Sequence, residues 1–206
     1  MDKLFTDIAV AKRIQQRLPE LFQLAELESS RAGKVGMEVG SVREKIIIAL
    51  LMFVFGETNV VADLPITEPE LDVLVNDIPL SIKTITGKKL SGVKLVWTVD
   101  ATKALEFLRG YKPKCNILLV QINWGGQGGL YYFPLRAQTV VINSIGTEKY
   151  IKLPKSGTNP RGVELTQVAL EYLAAHPLSK KLEIKWEKEA VSYNPYTRWL
   201  ELWRAD

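Results

Sequence analysis

Glu70-Leu71-Asp72-Val73-Leu74-Val75-Asn76-Asp77-Ile78-Pro79-Leu80-Ser81-Ile82-Lys83-Thr84-Ile85 carries the reading of the fold. Apolar and polar residues largely alternate from Glu70 to Val75 and again from Leu80 to Ile85, the period of a strand with two different faces. Between the two runs lies Asn76-Asp77, a turn dipeptide tolerant of left-handed backbone, followed by Pro79. The stretch is therefore predicted to be a β-hairpin. It folds Asp72 back opposite the segment that holds Lys83, eleven positions on, although the pattern leaves the register open.

Outward from the hairpin the period changes. Upstream, Ser41-Val42-Arg43-Glu44 has the capping-box pattern and opens an apolar helix that ends before Gly56, and Val60-Val61 is a short strand. Farther upstream, Leu4, Ile8, Ala11 and Ile14 have helical spacing, Pro19 is expected to restart a second helix over 20–28, and Arg31 to Gly36 forms a basic connection. Downstream, 101–111 reads as a helix and 116–124 as an apolar strand suited to the middle of a sheet. The Gly-rich stretch 125–129 reads as a turn, 136–145 and 162–175 as helices, and 182–186 as a strand. The fold class is α/β, a central mixed sheet flanked by helices.

Bulk properties narrow the function. The 206 residues suit one domain, divided into N-terminal helices (1–35), a core (36–135) and C-terminal helices and strands (136–206). The apolar fraction of 47% and charged fraction of 24% are those of a globular chain. The longest apolar run, Ile46 to Phe55, is about half a membrane span, no signal-peptide pattern is present, and a cytoplasmic location is expected. A single Cys115 and a single His176 exclude an internal disulfide and leave too few parts for a catalytic triad or a zinc site. Cys115 reads as an inert core thiol and His176 as a helix-end residue.

The net charge of +4 leans toward a polyanion. Lysines 83, 88, 89 and 94 form one basic cluster, and Lys149, Lys152, Lys155 and Arg161 another, each beside residues that donate to phosphate, although either also suits a solvated face. Gln121, Asn123, Trp124 and Gln127 cluster around the glycines, where Asn and Gln could pair with adenine or the segment could be a plain hairpin turn. Arg31, Lys34, Asn159 and Arg161 complete the candidates for DNA contact. Trp186, Trp199 and Trp203 read as core or subunit contacts.

Asp72 and Lys83 have a chemical rationale together. Phosphodiester hydrolysis calls for a divalent cation to neutralise the scissile phosphate and activate water, and hard cations take oxygen ligands such as a carboxylate. An ammonium beside them can stabilise developing charge or, with a depressed pKa, move a proton.

On these residues the chain resembles the PD-(D/E)xK nuclease superfamily, and within it the type II restriction endonucleases. The family pattern is an acid at the end of one strand, then acid-x-Lys on the next. Asp72 and Lys83 match, while Leu71 stands where Pro is common and Ser81 where a second acid is usual, a Ser-x-Lys variant. The order helix, strand, turn, strand, helix, apolar strand matches over residues 35 to 124. The resemblance implies Mg²⁺ held by Asp72, by the backbone carbonyl of Ile82 and by an acid from elsewhere. Glu44, on the helix before the hairpin, is the first candidate for that acid, and a capping residue is its alternative reading. Glu38 and Asp100 follow. It also implies a homodimer that cuts double-stranded DNA at a short palindrome. A structure-specific or repair nuclease, and a non-catalytic DNA-binding module on the same fold, remain alternatives.

Overall fold

A computed structural model describes residues 1–31, 34–36, 38–64, 70–96, 101–153 and 162–205. In chain order the elements are α1 (Lys3–Thr6), α2 (Ile8–Glu28), β1 (Ser30–Arg31), β2 (Lys34–Val35), α3 (Val39–Phe55), β3 (Val60–Val61) and β4 (Val73–Val75). There follow β5 (Ile78–Thr86), β6 (Val93–Val96), α4 (Ala101–Gly110), β7 (Asn116–Ile122), β8 (Gly126–Phe133), α5 (Leu135–Ile145) and α6 (Thr147–Tyr150). The last are β9 (Ile151–Lys152), β10 (Val163–Leu165), α7 (Gln167–Ala175), β11 (Lys180–Trp186) and α8 (Thr197–Arg204).

Six strands form the central sheet in the order β11-β8-β7-β5-β4-β3, and β6-β10-β9 form a smaller second sheet. The sheet is mixed and flanked by helices, as the hydrophobic periods imply. Among the described residues only β5 and β7 pair in parallel, Lys83 opposite Leu119, and the excursion through β6 and α4 supplies the crossover that a parallel pair requires. All seven residues of β7 are buried. Ile117 and Leu119 pack into one apolar core with α5 and α7, whereas Leu118, Val120 and Ile122 pack into a second with α2 and α3. A strand covered on both faces reads as an unbroken apolar run, which is how this one reads in the sequence.

The hairpin forms as its turn dipeptide implies. Asn76 and Asp77 take φ of 49° and 63°, the double left-handed turn that suits the twist of a tight hairpin. Pairing runs Val75–Ile78, Leu74–Pro79 and Val73–Leu80 and then stops. Asp72 therefore lies at the mouth of the hairpin rather than within a strand.

Four local expectations are corrected. The N-terminal helix breaks at Asp7, whose carboxylate accepts from the backbone N–H of Ala9 and Val10, and α2 then runs unbroken through Pro19. Helix α3 begins at Val39, two residues before Ser41, and Glu38 at its N-cap makes no side-chain cap bond, so the capping box around Ser41 and Glu44 is not formed. The glycines beyond residue 125 belong to strand β8. A Cβ on Gly128 would lie 2.2 Å from the Gln121 carbonyl oxygen and 2.7 Å from the Trp186 indole nitrogen, so Gly128 lets Trp186 pack flush on the sheet. Lastly, Val163–Leu165 is a strand, and the following helix starts only after Thr166, which caps it through Ala169 N–H. Among the described residues no helix is long and apolar enough to cross a membrane.

Candidate active site

The end of β4 leaves one edge of β5 unpaired beyond Leu80, and Asp72 turns back onto that edge. Its backbone N–H donates to the Leu80 carbonyl at 3.1 Å. Its carboxylate oxygen Oδ2 accepts three bonds, from Lys83 Nζ at 3.0 Å, Ile82 N–H at 2.6 Å and Ser81 Oγ at 3.2 Å. The hairpin thus sets Asp72 and Lys83 in contact, and their side chains are 21% and 14% exposed, enough to reach a substrate and too little for water to screen the pair fully.

Asp72 and Lys83 open into a cleft of about 600 Å³. Gly40, Ser41 and Glu44 from the first turns of α3 form one wall, Ile82 to Thr86 the floor, and Ser91 to Leu95 with Glu164 of β10 the opposite wall. Glu44 faces this space without a cap bond to hold it. Burial first, and then the charge of Asp72, push its carboxyl above the ordinary range, with Lys83 and Lys45 opposing. Two carboxylates that sense each other across an open cleft are an oxygen donor set with a deficit of positive charge, the environment a hard cation relieves. Among the described residues no group of three His, Cys, Asp or Glu side chains is gathered at metal-holding distance, so further oxygens must come from backbone, water or substrate.

Ser81 is 1% exposed and does not line the cleft. Its hydroxyl is spent on Asp72, so it orients the carboxylate from beneath. Glu38 is exposed at the N-cap of α3 and is not among the cleft residues, and Asp100 lies outside the described residues.

Glu164, which lines the cleft, and Glu70, buried beside Tyr111 outside it, escaped the sequence reading. Glu164, bridged to Lys152 Nζ at 3.1 Å, was hidden by reading 162–175 as one helix. A charged residue between buried Val163 and Leu165 was the available signal of a half-exposed strand. Glu70 is 7% exposed, and neither its Oε1 nor the buried Tyr111 hydroxyl has a hydrogen-bond partner of good geometry. Burial pushes Glu70 up to about 7, against the lowering influence of Tyr111, Lys83 and Lys114. A carboxyl with a raised folded pKa stabilises the fold fully below its unfolded value near 4.5 and ceases to as pH rises through the folded value. In chelator, wild-type urea stability should therefore decline between about pH 4.5 and 7, and Glu70→Gln should flatten that decline. An unchanged slope in the variant refutes the assignment.

Behind the cleft lies an ion network that no sequence pattern marks. Glu26 accepts from Arg43 at 2.6 Å, from the Trp124 indole at 2.7 Å and from Lys188 at 2.8 Å. Burial pushes this carboxyl up, but the bonds from Lys188 and Trp124 together with the charges of Lys188 and Arg43 outweigh it and hold the group below the ordinary range. The network ties α2 to the turn of α3 that bears Glu44.

The candidates for DNA contact are scattered. Lys88 and Lys89 are exposed just past the end of β5, close in sequence to the cleft floor, and Lys34 is exposed on the β1-β2 ribbon. Gln127 is exposed, and the Asn123 side chain donates to its carbonyl at 2.9 Å, closing the turn between β7 and β8. Gln121 is buried between Gly87 and Tyr131, and Trp124 is bound to Glu26, so both are structural. Trp186 is core, whereas Trp199 and Trp203 are exposed. Lys155, Asn159, Arg161 and the Arg31 side chain lie outside the described residues. Cys115 is buried, and His176 ends α7, its Nδ1 accepting from Leu178 N–H.

The model of the family described as restriction endonuclease ThaI matches residues 4–205. A solved structure described as a restriction endonuclease in complex with substrate DNA is 56% identical over 97% of this chain and 96% of that one, with a TM-score of 0.91. No curated protein matches.

Proposed function

The chain belongs to the ThaI restriction endonuclease family and is a site-specific restriction endonuclease; on that premise we propose that it hydrolyses double-stranded DNA with Mg²⁺ through Asp72, Lys83 and Glu44. The observation that carries the assignment is the convergence of Lys83, Ser81 and Ile82 N–H on one oxygen of Asp72, in a cleft that Glu44 also faces.

All three bonds fall on Oδ2, which leaves Oδ1 of Asp72 as the oxygen to offer a cation. A strand residue sends its N–H and C=O toward the same edge, so the Ile82 carbonyl shares the unpaired edge with the N–H that reaches Asp72. Asp72 Oδ1, the Ile82 carbonyl and Glu44 would hold the cation. When bound, the cation supplies charge to the scissile phosphate and lowers the pKa of its water. Lys83, held in place by Asp72, orients the attacking water and stabilises charge on the phosphate oxygens. Ser81 fixes the Asp72 rotamer. Lys34, Lys88, Lys89 and, beyond the described residues, Arg31, Lys155, Asn159 and Arg161 hold phosphates or bases, and Asn123 and Gln127 face the duplex at the β7-β8 turn. The enzyme works in the cytoplasm as a homodimer, since two-fold symmetry places one such cleft on each strand of a palindrome.

Incubation of phage DNA with the purified chain tests this reading. Discrete fragments are expected with Mg²⁺ and none with excess chelator. Cleavage confined to branched substrates would replace it with a structure-specific nuclease. Specific binding without any cut would replace it with a non-catalytic module.

A further inference from the structure

Helix α8 stands at the end of the described chain with every residue exposed. Tyr196, Trp199, Leu200 and Trp203 fall at spacings i, i+3, i+4 and i+7, one continuous apolar stripe, and Trp203 is 88% exposed. Eight residues do not sustain a helix in water by themselves. The family match runs through residue 205, so α8 belongs to the domain, and it needs a surface.

The same molecule carries a surface of matching kind. Between α2 and α3 lies a groove of about 330 Å³, lined by Ile14, Leu18 and Leu21 on one side and Ile46, Leu50 and Phe53 on the other. The Arg13 guanidinium sits 5.0 Å above the Phe53 ring at its rim, and the small Ala49 leaves the groove open. A helix with an i, i+3, i+4, i+7 stripe lying in an apolar groove is a recurring mode of recognition.

The path of the tail shows whose helix can fill it. Strand β11 and the residues after it run along α2, with Gln15 bonded to the Glu183 carbonyl, Gln23 to both backbone groups of Glu189, and Glu26 to Lys188. At 3.6 residues per turn, positions 15, 23 and 26 centre about 125° around α2 from positions 14, 18 and 21, on a different face. The tail also runs toward the C-terminal end of α2, away from the groove, and Tyr193 reaches the neighbourhood of Glu28. A chain leaving there would have to double back around the helix to reach its own groove.

We propose that α8 of one copy docks in the α2–α3 groove of a second copy, reciprocally about a two-fold axis, and that this exchange holds the dimer together. The inference rests on the homodimer reading above and names its surface.

Sedimentation equilibrium without DNA reads the assembly. The full chain should be a dimer, while Trp199→Ala with Trp203→Ala, and separately Ala49→Glu, should give monomers. All three sites are exposed, so circular dichroism should show the fold retained. Mild oxidation of a chain carrying both Ala49→Cys and Trp203→Cys should give a disulfide-linked species of twice the chain mass, because Cys115 is buried. A disulfide closed within one chain overturns the exchange. A dimer indifferent to all these changes overturns this inference and leaves the homodimer standing. A monomeric wild type overturns both, and its cleavage of phage DNA still reports separately on the nuclease assignment.

Discussion

Asp72→Ala and Lys83→Ala are each expected to lower single-turnover DNA cleavage by about three orders of magnitude or more, while leaving affinity for specific DNA largely intact. Asp72→Ala removes the oxygen that gathers Lys83, Ser81 and Ile82 N–H, so the cation loses a ligand and Lys83 loses its anchor together. Lys83→Ala spares the ligand and removes the group that orients water and meets developing charge. Binding survives because phosphate and base contacts lie elsewhere on the surface. Quenched-flow cleavage, with a binding titration in a cation that does not support cutting, separates the two effects. Near wild-type cleavage by either variant sinks the active-site assignment.

Glu44→Gln carries the second large effect, a loss of about two to three orders of magnitude in rate with no fall in melting temperature. The amide keeps the size of the side chain but cannot give a cation a charged oxygen. No cap is lost, because α3 begins upstream of Ser41 and no cap bond depends on Glu44. Without metal the variant should melt at or slightly above the wild-type temperature, since burial and the Asp72 charge disfavour the Glu44 carboxylate. The exposed Glu38 provides the control, and Glu38→Gln should cut normally. Full activity in Glu44→Gln removes it from the ligand set.

Much of the candidate site is legible in the sequence. Asn76-Asp77 between two alternating runs determines a hairpin because few dipeptides accept two successive left-handed residues, and the hairpin alone brings Asp72 to Lys83. Strand β7 was legible because a strand buried on both faces carries no polar alternation to disguise it. These are local signals, complete within about ten residues.

What failed were readings that needed a partner. Ser41-x-x-Glu44 has the letters of a capping box, yet whether it caps depends on where the helix starts, and α3 starts two residues sooner. Gly125 to Gly129 looked like a turn, but at Gly128 a Cβ would meet both the Gln121 carbonyl of the neighbouring strand and Trp186, nearly sixty residues away. Val163–Leu165 looked helical until β6 and β9 paired with it. The identity of Asp72, Lys83 and the turn between them, and hence the kind of chemistry, was determined by the sequence itself through backbone preference and side-chain period. Only the tertiary structure decided that Ser81 is buried beneath Asp72 while Glu44 faces the cleft, because burial and charge proximity depend on which distant elements pack together, and no local period records that.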